Sequence, residues 1–369
     1  MVGPVICRGG GFPFGHGNAA SHDVAVVTTT QNSLTSLSEP ELSAERGVIR
    51  LEVTDLAPST SSLTAVRRHP GWRVKDDTTV YGGIELGGTN CNCAVGSSAS
   101  GIVATARFDT GAEATATLAR VVEWFHLQES RLDRGLTALG VASFGPLDLA
   151  SGTITQTPKA GWGMTPLRQE LGRELGCAVA VDTDVNCAAL AEHALGAGIG
   201  SNVFLYLTVG TGIGVGAVVA GELIQGMSHP EMGHMRIPQR RDDSFVGSCP
   251  FHGNCWEGLA SGQALANRYR MQAADIVDSR AWELEAEYLA LGVTNLVCNF
   301  RPQRIALGGG VFKRDGLLRN VAQKVSGLLT AEYFAEAEEI ERILVTPDLG
   351  SSSGVVGALL IAQQMMRTR

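Results

Sequence analysis

Between positions 228 and 257 the chain reads SHPEMGH and then, after a polar stretch, CPFHGNCWE. His234, Cys249, His252 and Cys255 offer four soft or borderline ligands within a short segment, a set that suits tetrahedral zinc. Protein groups fill all four positions and leave none for a reactive water, so the metal is expected to be structural. Two carboxylates, Glu231 and Glu257, flank the cluster. The expectation is a metal-stapled loop that presents polar groups to a ligand.

Glycine-rich turns suggest a second chemistry. In Gly87-Gly88-Thr89-Asn90 and in Gly210-Thr211-Gly212-Ile213-Gly214, glycine lets the backbone approach a polyanion and turn N–H groups toward it, while Thr89 and Thr211 add hydroxyls. Each turn alone is equally compatible with a plain hairpin. A third cluster, Gly308-Gly309-Gly310, follows the strand-like RIAL and shifts the reading toward a nucleotide held between two lobes. Neither a Walker-type loop nor a strict dinucleotide fingerprint occurs.

The elements that must position these groups alternate from Thr79 onward. VYGGIEL (80–86), CNCAVG (91–96) and IVATARF (102–108) read as a meander. A helix is expected near 113–129, with Leu118, Val121, Val122 and Phe125 at helical spacing, and TALGVASFG reads as a buried strand. AVAVDTD (178–184) reads as a strand running into a helix opened by Asn186 and Cys187, and 203–219 as a second glycine-turned hairpin. Two similar hairpins suggest duplicated lobes around a cleft, where ligands usually bind.

With 369 residues, 44% apolar, and 46 glycines, the chain has the composition of a soluble α/β protein of two packed lobes. No run of about 18 apolar residues occurs, so no membrane partner is expected. The net charge of −8 argues against a nucleic-acid partner, which needs a basic face. The eight cysteines are scattered, and Cys91, Cys93, Cys177, Cys187 and Cys298 stand in apolar surroundings. That fits a reducing, cytoplasmic setting better than a disulfide framework. Residues 1–78 are rich in Ser, Thr, Gly and Pro without helical periodicity and are expected to be largely disordered; a transit segment or a misplaced start are the alternatives.

From about Val80 onward the chain resembles the ROK family of sugar kinases, and within it the zinc-containing fructokinase branch. The resemblance rests on IELGGTN, SFGPLDL, TPKAGW, DTDVN, LTVGTGIG, SHPEMGH, the C-x2-H-x2-C loop with Glu257, and ALGGGV, in that order. It implies an α/β, two-lobed actin-like ATPase fold of the ribonuclease H-like kind with an interlobe cleft, ATP and Mg2+ as cofactors beside Zn2+, a hexose acceptor, and a homodimer. The implied division is 79–185 as the first lobe, joined by a closing helix at about 353–369, and 186–352 as the second, carrying the zinc loop 234–257. Asp184 matches the family's base, with Asp182 in a structural role beside it. The ATP phosphates fall to Gly87, Gly88, Thr89, Gly210, Thr211, Gly212, Gly309 and Gly310. The sugar falls to Lys159, Gly161, Trp162, Asn186, Glu231, His234 and Glu257, although Trp162 could equally be a core residue and Asn186 a helix cap.

The family often has Asp at the position of Glu85 and Lys at that of Asn90, so Asn90 removes a cation beside the first turn. The implied reaction is phosphorylation of fructose at the 6-hydroxyl, with mannose, glucose or an N-acetylhexosamine as alternative acceptors. Two other classes are a family-type transcriptional regulator and a sugar-binding protein without catalysis. The first would need a basic helix-turn-helix within residues 1–78, where acidic residues are interspersed.

Overall fold

The computed structural model describes residues 79–97, 101–329 and 337–367; the readings made for residues 1–78 lie outside them. The first sheet begins as the expected meander of β1 (Tyr81–Leu86), β2 (Asn90–Ser97) and β3 (Gly101–Asp109), paired antiparallel so that Ile84 faces Cys93 and Cys93 faces Ala106. At the sheet edge β3 alternates, with Thr105 and Arg107 exposed while Ala106 and Phe108 pack inward. Helix α1 (Ala114–Leu132) buries Leu118, Val121 and Phe125 and leads to β4 (Ala138–Ser143), which lies parallel to β1. A short ribbon, β5 (Leu147–Asp148) and β6 (Thr153–Ile154), and helix α2 (Leu167–Leu175) precede β7 (Ala178–Thr183), parallel to β4.

Helix α3 (Asp184–Leu195) starts directly from β7 and leads to the second sheet, built from β8 (Val203–Val209), β9 (Ile213–Val219) and β10 (Glu222–Leu223). A 3-10 turn at Met232–His234 and helices α4 (Trp256–Ala260), α5 (Gly262–Tyr269) and α6 (Ser279–Phe300) come next. Then follow β11 (Arg304–Gly308), α7 (Leu317–Leu328), α8 (Ala337–Ile343), β12 (Leu344–Val345) and α9 (Ser353–Arg367).

The strand orders are β3-β2-β1-β4-β7 and β10-β9-β8-β11-β12. Leaving aside the small ribbon, each sheet places its first three strands as a meander and adds its fourth and fifth in parallel beside the first. This duplicated arrangement is the two-lobed actin-like α/β fold expected from the sequence.

The largest apolar cores lie on the outer faces of the sheets, one under α1 and α2 and the other around α4–α7. Between the sheets run α3 and α9. Val355, Leu359 and Ala362 of α9 pack on Tyr81, Ala94 and Ala138, while Ala358 and Ile361 meet Cys187 and Leu190 of α3. The approach is close enough that a side chain at Gly140 would run into the carbonyl of Ala358, and one at Gly216 into that of Val185. Glycine on β4 and β9 therefore sets how near the two helices come, and with them Asp184 at the head of α3.

Candidate active site and metal centre

Thr183 ends β7 in an extended conformation and its Oγ1 accepts from the Asn186 amide at 3.2 Å, so the helix begins at Asp184, two residues before the expected start. The reason is the capping preference of threonine. Asn186 is consequently inside the helix rather than its cap. It is fully buried, and its Nδ2 donates to Asp182 Oδ1 at 2.8 Å. Asp182 also accepts from the Thr183 amide at 2.7 Å and, through its other oxygen, from Gln225 Nε2 at 3.1 Å. That carboxylate is committed to holding β7, α3 and the segment after β10 together.

Asp184 differs. Its Oδ1 accepts from the Val185 amide at 2.9 Å, and among the described residues no side chain donates to it. Burial, then the nearby carboxylate of Glu85 and, to a lesser degree, that of Glu231 push its pKa up to about 7. Glu85, at the end of β1, is itself raised by burial, against the opposing effects of Asn92 Nδ2 at 2.9 Å and the Arg107 charge. Glu231 is likewise raised by burial and by Glu257, with His234 opposing. The parallel pairing of β1, β4 and β7 puts Glu85, Ala142 and Asp182 in one row, which is why Glu85 and the head of α3 meet. In the sequence Glu85 stands out only as a departure from family usage. Its position, one residue before a strand end that opens a glycine turn, was the available signal.

Both glycine turns sit at the carboxyl ends of strands, the usual place for ligands in α/β sheets. In the first, Gly87 N–H donates to Asn90 O at 2.9 Å, which leaves the amides of Gly88 and Thr89 without an acceptor among the described residues. Lys159 Nζ donates to Gly88 O at 2.8 Å and to Thr110 O at 3.3 Å, and Arg107 Nε donates to Asn90 Oδ1 at 3.2 Å. Lys159, expected near the sugar, thus lies on the first turn, and two cations stand beside the position where Asn90 carries none.

Trp162 is 0% exposed, donates from Nε1 to Gly111 O at 2.9 Å and packs edge-on against Phe144 at 5.4 Å. It is a core residue, so its face is not offered to a ligand. Gly161, at φ +72°, sits where a Cβ would strike the Ala112 carbonyl, and this docks the loop that carries Lys159.

In the second turn Gly210 N–H donates to Gly212 O at 2.9 Å and Ile213 N–H to Glu257 Oε2 at 3.0 Å; the amides of Thr211 and Gly212 have no acceptor among the described residues. Gly309, at φ +92°, packs against the backbone of Val209, which brings the Gly308–Gly310 cluster to the base of the same turn.

His234, Cys249, His252 and Cys255 converge, with their nearest ligand atoms all within 4.8 Å of one another. His234 Nδ1 lies 3.5 Å from Cys255 Sγ and 3.6 Å from Cys249 Sγ, and His252 Nδ1 lies 3.7 Å from Cys249 Sγ. A tetrahedral zinc ion about 2.0 Å from nitrogen and about 2.3 Å from sulfur separates such ligands by roughly 3.5 Å, so the four side chains fit the ion. Burial pushes the Cys255 thiol up to about 11, and a divalent cation bound there would supply the charge that holds it as thiolate. Arg236 Nη1 donates to His252 O at 3.0 Å and to Asn254 Oδ1 at 3.1 Å, and Trp256 N–H to Met235 O at 2.8 Å, which ties the ligand segments together.

Residues 81–365 match the model of the ROK family. The chain belongs to the ROK family. Among ROK-type relatives, it is 40% identical over 296 residues to a candidate fructokinase of Bacillus subtilis (strain 168), covering 78% of this chain and 97% of that one. It is 39% identical over 302 residues to a fructokinase of Zymomonas mobilis subsp. mobilis, covering 78% and 98%. A ROK hexokinase structure from Thermus thermophilus superposes with a TM-score of 0.66 at 27% identity, covering 79% of this chain and 100% of that one. Among the described residues no helix is long and apolar enough to cross a membrane, and the seven described cysteines form no disulfide.

Proposed function

We propose that this ROK-family chain transfers the γ-phosphoryl group of ATP to the 6-hydroxyl of a hexose, with fructose as the preferred acceptor. The observation that carries the chemistry is Asp184: a carboxylate at a helix head to which no side chain among the described residues donates, beside two glycine turns, with a pKa brought up to about 7. Such a group can accept the hydroxyl proton as the sugar oxygen attacks phosphorus and the bond to the ADP oxygen breaks, while positioning and electrostatics lower most of the barrier. The identities of 40% and 39% to proteins named as fructokinases support the acceptor.

The free amides of Gly88, Thr89, Thr211 and Gly212 receive phosphate oxygens, with Gly87, Gly210, Gly309 and Gly310 allowing the approach. Lys159, anchored on the first turn, supplies charge there, which offsets Asn90. The crowding of Glu85, Asp184 and Glu231 fits a site that receives Mg2+ with the nucleotide, where the cation screens the phosphate charge. Glu231, His234, Glu257, Asn186 and the loop around Gly161 and Trp162 form the sugar side, Asn186 and Trp162 through packing. Zn2+ on His234, Cys249, His252 and Cys255 orients His234.

We divide the protein into a lobe of 79–185 completed by the helix at 353–369 and a lobe of 186–352, acting as a cytoplasmic homodimer. A coupled ADP-release assay over fructose, mannose, glucose and N-acetylhexosamines tests the reading. Turnover with fructose at the highest kcat/KM is expected, and no ADP release with any hexose would reject it.

A further inference from the structure

We infer that Glu257 is the positioning residue through which the metal loop sets the second phosphate turn, so that metal occupancy controls nucleotide binding as well as the sugar side. The inference rests on the kinase reading for its ligand and goes beyond it in linking the two sites. Cys255 is a metal ligand and the residue immediately before α4; Glu257 is the second residue of that helix. One Glu257 oxygen accepts the Ile213 amide at 3.0 Å, at the point where the turn becomes β9, and the other lies 4.0 Å from His234 Nδ1, an atom of the ligand set.

The same segment holds the turn at two further points. Gly262 N–H donates to Gly210 O at 2.7 Å and Gln263 N–H to Thr211 O at 3.3 Å. A side chain on Gly233, next to His234, would strike the Ile213 carbonyl, and one on Gly212 would strike Glu257 Oε2. Residues 210, 211 and 213 are therefore fastened to 257–263, and the two amides between those anchors, Thr211 and Gly212, are the ones left to point outward. Without the carboxylate, Ile213 N–H is a buried donor lacking its charged acceptor, and the turn loses the restraint that aims its neighbours. One of the two Glu257 oxygens is thus already in use, which leaves the other for the sugar side.

The test uses the full chain and reads nucleotide binding with no sugar present. The dissociation constant of a non-hydrolysable ATP analogue with Mg2+ is measured by calorimetry, and amide hydrogen exchange is followed across 209–216. Glu257→Ala is expected to weaken the analogue at least about tenfold and to speed exchange at Ile213. Glu257→Gln, whose amide oxygen still accepts, should stay within about threefold of the parent. Removing the metal with a chelator should produce the Glu257→Ala pattern, and restoring zinc should reverse it. Gly212→Ala, which displaces the carboxylate without touching a metal ligand, provides a second variant if Glu257→Ala does not fold.

The inference is overturned if Glu257→Ala or Gly212→Ala leaves nucleotide affinity unchanged, or if metal removal leaves exchange across 209–216 as it was. Because neither readout involves phosphoryl transfer, absence of turnover on every hexose would reject the kinase reading while leaving this result to stand or fall separately.

Discussion

Asp184 is distinguished from Asp182, two residues away, by what donates to it. Asp182 has three donors and Asp184 a single local amide. Replacement of Asp184 by Asn should lower kcat by about two to four orders of magnitude, the usual range for loss of a general base, with sugar KM altered far less. The pH profile has a definite sign. A base must be ionised to act, and with its pKa up at about 7 the rate should fall as pH drops through that value. Glu85 is one cause of the elevation, so Glu85→Gln should shift this acid limb toward lower pH; an unmoved limb would exclude the Glu85 charge as a cause. Lys159→Met should raise KM for ATP more than KM for the sugar, in keeping with its seat on the first turn. The ligand set of the metal was legible in the chain because three of its four members fall within seven residues. The Lys159–Gly88 and Glu257–Ile213 bonds were not, since they join residues 71 and 44 positions apart and depend on how the sheets fold.

At the level of elements, the first meander, the helix at α1 and the hairpin at 203–219 are readable from alternation, periodicity and glycine placement, whereas the short β10 that extends the second hairpin into a meander is not. The start of α3 was misjudged because its cap is the last residue of a strand, where threonine serves strand and helix alike. What the sequence did not disclose is why glycines stand inside β4 and β9. They are the contact points of α9 and α3, and a larger residue there pushes against backbone. Gly140→Val should cost at least about 1–3 kcal/mol by overpacking, seen as a lowered Tm. Cys255→Ser should remove stoichiometric zinc on elemental analysis and lower Tm as well, because the helix that follows the ligand carries Trp256, fully buried against Gly292 of α6.

For the molecule as a whole, the duplicated strand order places each glycine turn on its own sheet, with α3 and α9 running between. Residues 1–78 contribute no motif to either turn or to the metal set, and a chain beginning at Thr79 should keep its turnover; loss of soluble, active protein on that truncation would show the segment to be structural. The position of α9 carries a different consequence, for synthesis. Tyr81, Ala94 and Ala138 are covered by side chains that the ribosome adds much later than the sheet itself, at 353–367. A nascent chain that has already made every strand of its first sheet must leave one face of that sheet bare until translation has passed through α9. Completion of the first half therefore waits on α9, and a stop codon one turn into that helix should yield an aggregating product rather than an active enzyme.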